Sequence, residues 1–308
     1  YWINALLSGP KTHMVNIMSN TGVVGLSILE RSIASRYGRL FSDEAGVELG
    51  EALAQVQSLR GGIWDAFRNA GKALRTGQTG FGMNKLEMPR ERYISSGTWN
   101  MRSDGWVGKG VDGLGSIVNI PGRMLQAEDE FFKTIGYRME LHAQAQRTAT
   151  RELRDGKITK DGFKARYAEL LDNPPEAIRL EAAAAAAYQT FTNEPGKLTR
   201  GFMRILSDYP AAKFIMPFVN TPTNILKYTF ERTPLAPLTA KYRNAIAKGG
   251  ADADLARTKM ALGTMVMMVG MDLALNGHTT GSGPQNTAEK QNWRRQGNQP
   301  YALRLGDK

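Results

Sequence analysis

Cysteine is absent from this chain of 308 residues, and histidine occurs three times, at His13, His142 and His278. Without thiols there are no disulfides and no thiolate metal sites, and isolated imidazoles without HExxH spacing exclude an ordinary zinc enzyme. No segment alternates apolar and polar residues long enough to make a strand. The most apolar run, Met260–Met271 extended to Leu275 across Asp272, has 16 residues, short of the ~20 that span a bilayer as a helix. A conventional membrane protein is disfavoured on that count. Tyr1 to Leu7 lacks the basic start and small-residue cleavage site of a secretory signal. With Tyr1 in place of an initiator Met and a polar stub at Arg304–Lys308, the chain reads as an internal portion of a longer polypeptide.

Recognisable reaction centres are also missing. Gly77-Gln-Thr-Gly-Phe-Gly-Met-Asn-Lys85 looks superficially like a phosphate loop, yet it lacks the GxxxxGK[ST] spacing and a preceding strand. No GxSxG elbow or paired-carboxylate signature occurs. Glu128, Asp129, Glu130, Glu140 and His142 could be taken for a carboxylate metal site, but inward Glu-x-x-His pairs on two helices are absent. These acids are expected on a solvated face. No catalytic, cofactor-binding or metal residue is assigned, no cofactor is expected, and the chain is not expected to be an enzyme.

What is present is helix, punctuated by proline and glycine. Between Met216 and Leu238 lie Pro217, Pro222, Pro234 and Pro237, around a run holding Ile225, Tyr228 and Phe230. Proline opens helices and is excluded from their interiors. The predicted helices run from Pro10 to about Tyr37, from Asp43-Glu44 to a break at Gly61-Gly62, and from Ile63 to about Arg75. Others follow over 123–154, 159–172, from Pro174-Pro175 through Ala182–Ala187, and over 198–207, 211–216, 223–232, 238–248 and 253–276. Six consecutive alanines favour helix and allow close helix approach. Gly22 and Gly25 weaken the first helix unless close packing needs them. Its apolar positions, from Met14 and Ile17 to Ile33, are broad enough to be buried on several sides. Residues 76–122 are rich in glycine, hold Tyr93, Trp99 and Trp106, have few aliphatic repeats, and read as a long irregular excursion. The expected organisation is all-α and elongated: a 1–75 helical segment, the 76–122 excursion, amphipathic and Ala-rich helices over 123–193, and a basic segment over 194–308.

The net charge of +11 is uneven: residues 194–308 hold 16 Lys/Arg against 8 Asp/Glu. Concentrated positive charge suits a polyanion. Lys227, Arg232, Lys241 and Arg243 border the Pro-rich stretch, and Lys290, Arg294 and Arg295 surround Trp293. These seven cations are the candidate DNA or phosphate contacts. Met260, Met265, Met267, Met268 and Met271 are five of the 14 methionines, and flexible thioethers suit exchangeable apolar surfaces. The simplest account of that run is a buried core helix. The sharper one makes these methionines, with Trp293, contacts to a membrane or a partner helix.

Three pieces together resemble one family. Leu7-Ser-Gly-Pro-Lys-Thr-His-Met-Val-Asn-Ile-Met-Ser-Asn20 is similar to an "SGPxTHxxN" opening, and Gln126-Ala-Glu-Asp-Glu-Phe-Phe-Lys-Thr-Ile-Gly-Tyr-Arg138 to an "AEDEFFK…YR" helix. Pro217–Leu226, Glu231-Arg-Thr-Pro234 and Asn276–Pro284 complete the likeness. It is to the internal virion, or ejection, proteins of tailed bacteriophages and related large polyvalent phage proteins. The resemblance implies a protein packed in the virion interior near the portal. On ejection it self-assembles into a helical tube that carries double-stranded DNA across the host periplasm and inner membrane. Its implied partners are other copies, the genome, other internal and portal proteins, and the inner membrane. Some relatives carry a peptidoglycan-cleaving domain, but no matching catalytic Glu motif occurs here. A second reading is a non-catalytic helical scaffold of a large polyvalent phage protein that accompanies or protects DNA.

Overall fold

Local signals account for most helix ends in the computed structural model, which describes residues 9–37, 46–77, 80, 105, 120–208 and 219–304. Among these residues there are ten α-helices and no strand. They are α1 (Pro10–Tyr37), α2 (Glu51–Thr76), α3 (Ile120–Arg154), α4 (Phe163–Asp172), α5 (Glu176–Gln189), α6 (Lys197–Asp208), α7 (Asn220–Phe230), α8 (Ala240–Lys248), α9 (Gly250–Leu275) and α10 (Thr287–Arg295). Pro10 opens α1, and Pro121 sits in the first turn of α3, where a missing amide hydrogen is harmless. After α9, Gly277 at φ 72° lets its own amide reach Ala274 O and that of His278 reach Leu273 O, the paired bonds of a Schellman cap. Asn286 caps α10 by accepting from the Ala288 amide.

The expected break at Gly61-Gly62 does not exist: α2 runs unbroken through both residues. A Cβ on Gly62 would lie 3.1 Å from Arg138 Cδ, so this glycine lets α2 and α3 approach closely. The start is also later than expected, because Gly50 at φ 99° holds the chain out of helix until Glu51. Gly22 and Gly25 have no such duty, since a Cβ on either meets nothing within 4 Å. The segment expected at 211–216, and the 76–122 excursion apart from the end of α2, Gly77, Gly80, Gly105 and the start of α3, lie outside the described residues.

The central element is α3, which packs against α1, α2, α4 and α5, while α9 returns to α1 and α8. The alanine run of α5 serves the close approach expected of it: Ala182, Ala186 and Ala187 are buried, and Gly136 of α3 sits against the Ala186 backbone. The apolar core is correspondingly small in side-chain volume. One cluster joins Leu141, Ala145, Ala149, Leu170, Ile178 and Ala182, another Ala66, Ile135 and Met139, and a third Ala34, Val47 and Ala251.

Large apolar side chains lie outside instead. On α2 the buried residues are Glu51, Ala54, Gln55, Ser58, Gly62, Ala66 and Ala73, whereas Leu53, Val56, Ile63, Trp64, Phe67 and Leu74 are exposed. The broad burial expected for α1 fails in the same way, with Met14, Ile17, Met18 and Leu29 exposed. The acids of α3 depart in the opposite sense. Asp129, Glu130 and Glu140 are buried, not solvated, because the central helix is surrounded on several sides. Asp129 pairs with the buried Lys133 at 3.1 Å. Burial raises Glu130, whose Oε1 accepts from the Gly80 amide at 2.8 Å.

Candidate functional site

Residues from separate sequence motifs meet in space. His13 Nδ1 lies 2.6 Å from Glu128 Oε1, and Asn16 Nδ2 donates to Glu128 Oε2 at 2.8 Å, joining the opening of α1 to the start of α3. Asn220 and Asn224, one turn apart on α7, both donate to the Asn193 carbonyl, and Asn224 also donates to that of Phe191. Phe191 needs this clasp: its φ of 57° is uncommon for a bulky side chain. The Pro-rich run is thus an architectural clamp that returns α7 onto the end of α5.

That clamp aligns a charged cluster. Arg232, just past α7, reaches Glu30 of α1 with both ends of its guanidinium, Nε to Oε1 at 2.7 Å and NH2 to Oε2 at 2.9 Å. The same guanidinium lies 3.5 Å from the centroid of the Tyr228 ring. Tyr188 of α5 donates its hydroxyl to Glu231 Oε2 at 2.6 Å and accepts from Arg232 NH1 at 3.1 Å. Over the Tyr188 ring stand Lys241 Nζ at 3.7 Å and Lys259 Nζ at 4.8 Å. Lys241 also pairs with Glu231 at 2.8 Å. Gly263 permits the approach of α9, since a Cβ there would fall 2.1 Å from the Arg232 carbonyl oxygen.

These groups line a cavity of about 570 Å³ between α1, α3, α5, α7, α8 and α9. Burial pulls the Lys259 ammonium down to about 8; Glu30 acts against that fall and Arg232 adds to it. Burial raises both tyrosine hydroxyls above their usual range. Beneath the cavity lies a lattice of buried charge. Glu51 takes Arg31 at 2.8 Å and both ends of Arg147 at 2.8 and 2.7 Å, while Arg31 also reaches Glu140 at 2.5 Å. Burial alone would lift the Glu51 carboxyl, but its two arginines hold it below the ordinary carboxylate range. A second cavity, of about 480 Å³, borders His142, which burial and then Arg138 lower to about 4. Its Nδ1 is 2.8 Å from the Tyr167 hydroxyl.

The seven candidate phosphate contacts divide sharply. Arg232 and Lys241 belong to the cluster just described, and Arg243 donates to the carbonyls of Pro237 and Leu238. Lys227 is an exposed residue at the cavity rim. Lys290, Arg294 and Arg295 share the short helix α10, with Arg294 and Arg295 exposed. Trp293 faces inward on that helix, its ring carbons about where a Cβ on Gly283 would press, so it pins the 280s turn to α10.

The methionines also divide. The amino-terminal part of α9 is held by buried Ala251, Ala253, Asp254 and Thr258, and Met260 is partly covered. Beyond Thr264 the buried-core reading fails. Met265, Val266, Met267, Met268, Val269, Met271 and Leu275 are all exposed, Leu275 by 76%. Consecutive exposed residues place apolar surface on every face of this half. The 16-residue limit read from the apolar run does not hold for the element, because the helix begins ten residues earlier: it has 26 residues, with an 18-residue window of mean hydropathy 1.3, long and apolar enough to cross a membrane by length and composition alone.

Glu30, Arg31, Tyr188 and Lys259 were not singled out by sequence, and Tyr228 and Glu231 were named only as part of the Pro-rich stretch and its motif. The available signal was charge on an apolar face: Glu30 and Arg31 interrupt the Ile28, Leu29 and Ile33 side of α1. A charge in that setting requires a partner. No family model, curated protein or solved structure matches the chain.

Proposed function

We propose that this chain is the structural, non-catalytic helical part of a phage internal virion or ejection protein, self-associating into a tube or core that guides double-stranded genome DNA through the host envelope. One observation carries the reading: charge is buried and large apolar side chains are exposed. Soluble monomers rarely leave large contiguous apolar patches uncovered. Here the outer face of α2, the early turns of α1 and the whole circumference of late α9 are uncovered. Other copies would cover α1 and α2, and late α9 would enter a partner bundle or the inner membrane. The exposed cations of α10, and Lys227, are left to face DNA. In the cavity each carboxylate of the Tyr188 cluster is already held by a cation, an arrangement suited to holding parts together more than to moving protons.

The test is the assembly state with and without anionic phospholipid vesicles, followed by electron microscopy. Rings or tubes with a lumen wide enough for duplex DNA are expected. Met265→Glu with Met268→Glu, which leaves the buried half of α9 intact, should abolish them or prevent vesicle association. A protein that stays monomeric at high concentration and ignores vesicles would overturn the reading.

A further inference from the structure

The outward face of α2 carries a repeat that its packing against α3 does not use. Leu53, Val56, Arg60, Ile63, Phe67, Ala70 and Leu74 follow one another at alternating steps of three and four residues. The apolar members other than Ala70 are exposed, and so is Arg60. Gly62 and Ala66 meet α3 from the other side of the helix, beside Arg138, Ile135 and Met139. A strict alternation of three and four places one row of side chains along a helix, and that row is the seam of two helices lying side by side.

The seam is held in place without a partner. The Phe67 ring packs edge-on against Phe131 of α3 at 5.0 Å, and Trp64 flanks it at 6.5 Å. Aromatic anchors fixed in this way lose little freedom on binding and dominate interface energies. The exposed parts of Leu53, Val56, Ile63, Trp64, Phe67 and Leu74 amount to roughly 600 Å² per copy. A symmetric pair would bury on the order of 1,200 Å², where specific interfaces begin.

Charge selects the direction. Arg60 is the single charge in the row, and the nearest acid along α2, Asp65, is already taken by Arg68 and Arg138. Parallel helices would set the two Arg60 guanidinium groups against each other. Antiparallel helices instead set Ile63 on the partner's Phe67, Val56 on the partner's Leu74, and Arg60 on the partner's Ala70. Ala70 is small, and a Cβ on the adjacent Gly71 would meet nothing within 4 Å. The Arg60 stem can therefore lie across that spot while its guanidinium reaches water.

We infer that α2 is a dimer interface, in which two copies of this chain pack their α2 helices antiparallel about a two-fold axis between the Ile63 and Phe67 layers. The pairing rests on the self-association proposed above and specifies one contact within it.

The chain has no cysteine, so single replacements report proximity without background. Val56→Cys and Leu74→Cys proteins, treated with a short bis-maleimide, should cross-link when mixed and not when kept apart. Cross-linking of either variant to itself would mean parallel helices and overturn the geometry. The second readout is sedimentation of the Met265→Glu, Met268→Glu protein, in which late α9 no longer offers a competing apolar contact. A monomer–dimer equilibrium is expected, and adding Ile63→Glu on the surface should weaken it about tenfold or more with helix content unchanged. A chain that stays monomeric, whether lipid or another part of the same chain covers that face, overturns the inference, as does a dimer indifferent to Ile63→Glu. Tubes of the otherwise unaltered protein without the mixed cross-link would remove this pairing alone. The mixed cross-link without rings or tubes would remove the tube reading alone.

Discussion

Replacing Glu30 by Gln strikes the charged cluster where its geometry is tightest. The two side chains of the Glu30–Arg232 pair are 3% and 10% exposed, and both carboxylate oxygens are used. Glutamine keeps the volume and removes the charge, leaving Arg232, Lys241 and Lys259 to share Glu231. Neutralising one partner of a buried pair costs about 3–5 kcal/mol. Lys241 is 57% exposed and remains well solvated, so we expect the lower end, about 3 kcal/mol. Arg232→Met removes the cation and keeps an apolar stem over Tyr228. It leaves Glu30 without its bonded cation but still attracted by the Lys259 ammonium, and about 2–3 kcal/mol is expected. The double variant buries neither charge, so its loss should fall short of the sum of the single losses by about 2 kcal/mol or more. Urea unfolding followed by far-ultraviolet circular dichroism measures all four proteins. Single losses below about 1 kcal/mol that simply add would refute the reasoning, because they would mean the pair is exchanged readily with water.

Glycines separate packing from propensity: Gly263→Ala should cost several kcal/mol, since its Cβ meets the Arg232 backbone at 2.1 Å and overpacking against backbone finds little relief. Gly22→Ala and Gly25→Ala, open in the described structure, should each stabilise the isolated protein by about 0.5–1 kcal/mol in the same unfolding assay. His142 titrates near 4 when folded against 6.5 as an unperturbed group, so the unfolded chain takes up its proton first as pH falls. Its contribution is complete above about pH 6.5 and is lost progressively between there and about pH 4, on the order of 2–3 kcal/mol. His142→Phe should flatten the fall in stability over that window. Arg294→Glu with Arg295→Glu should lower retention on duplex DNA at low salt and reduce its salt dependence; unchanged retention would remove α10 from the DNA-facing surface.

Helix content and most helix limits were readable from the chain because their causes act within a turn. Pro10 and Pro175 set starts, and Gly156 at φ 71° and Gly277 at φ 72° set stops. The misreadings share a physical origin. Gly61-Gly62 looked like a break because, taken alone, glycine weakens helix, yet α3 occupies the space that the missing Cβ leaves beside Gly62. Glu128 and Glu140 of α3 looked solvated because their partners are remote in sequence. Glu128 meets His13 across 115 positions, and Glu140 meets Arg31 across 109.

Sequence alone determined an all-helical chain, the places where its helices turn, the close seat provided by Ala182–Ala187, and an excess of positive charge in its final third. Only the tertiary structure decided which sides of those helices face inward. Apolar periodicity marks a face that will be covered, but it does not distinguish cover by the same chain from cover by another body. The small side of α2 and the charged residues of α1 and α3 went inside. Late α9 and the large side of α2 did not. Pairings such as Glu30 with Arg232, 202 residues apart, exist only once the chain has closed on itself, because a charge gains from a partner through space and leaves no mark in the intervening sequence.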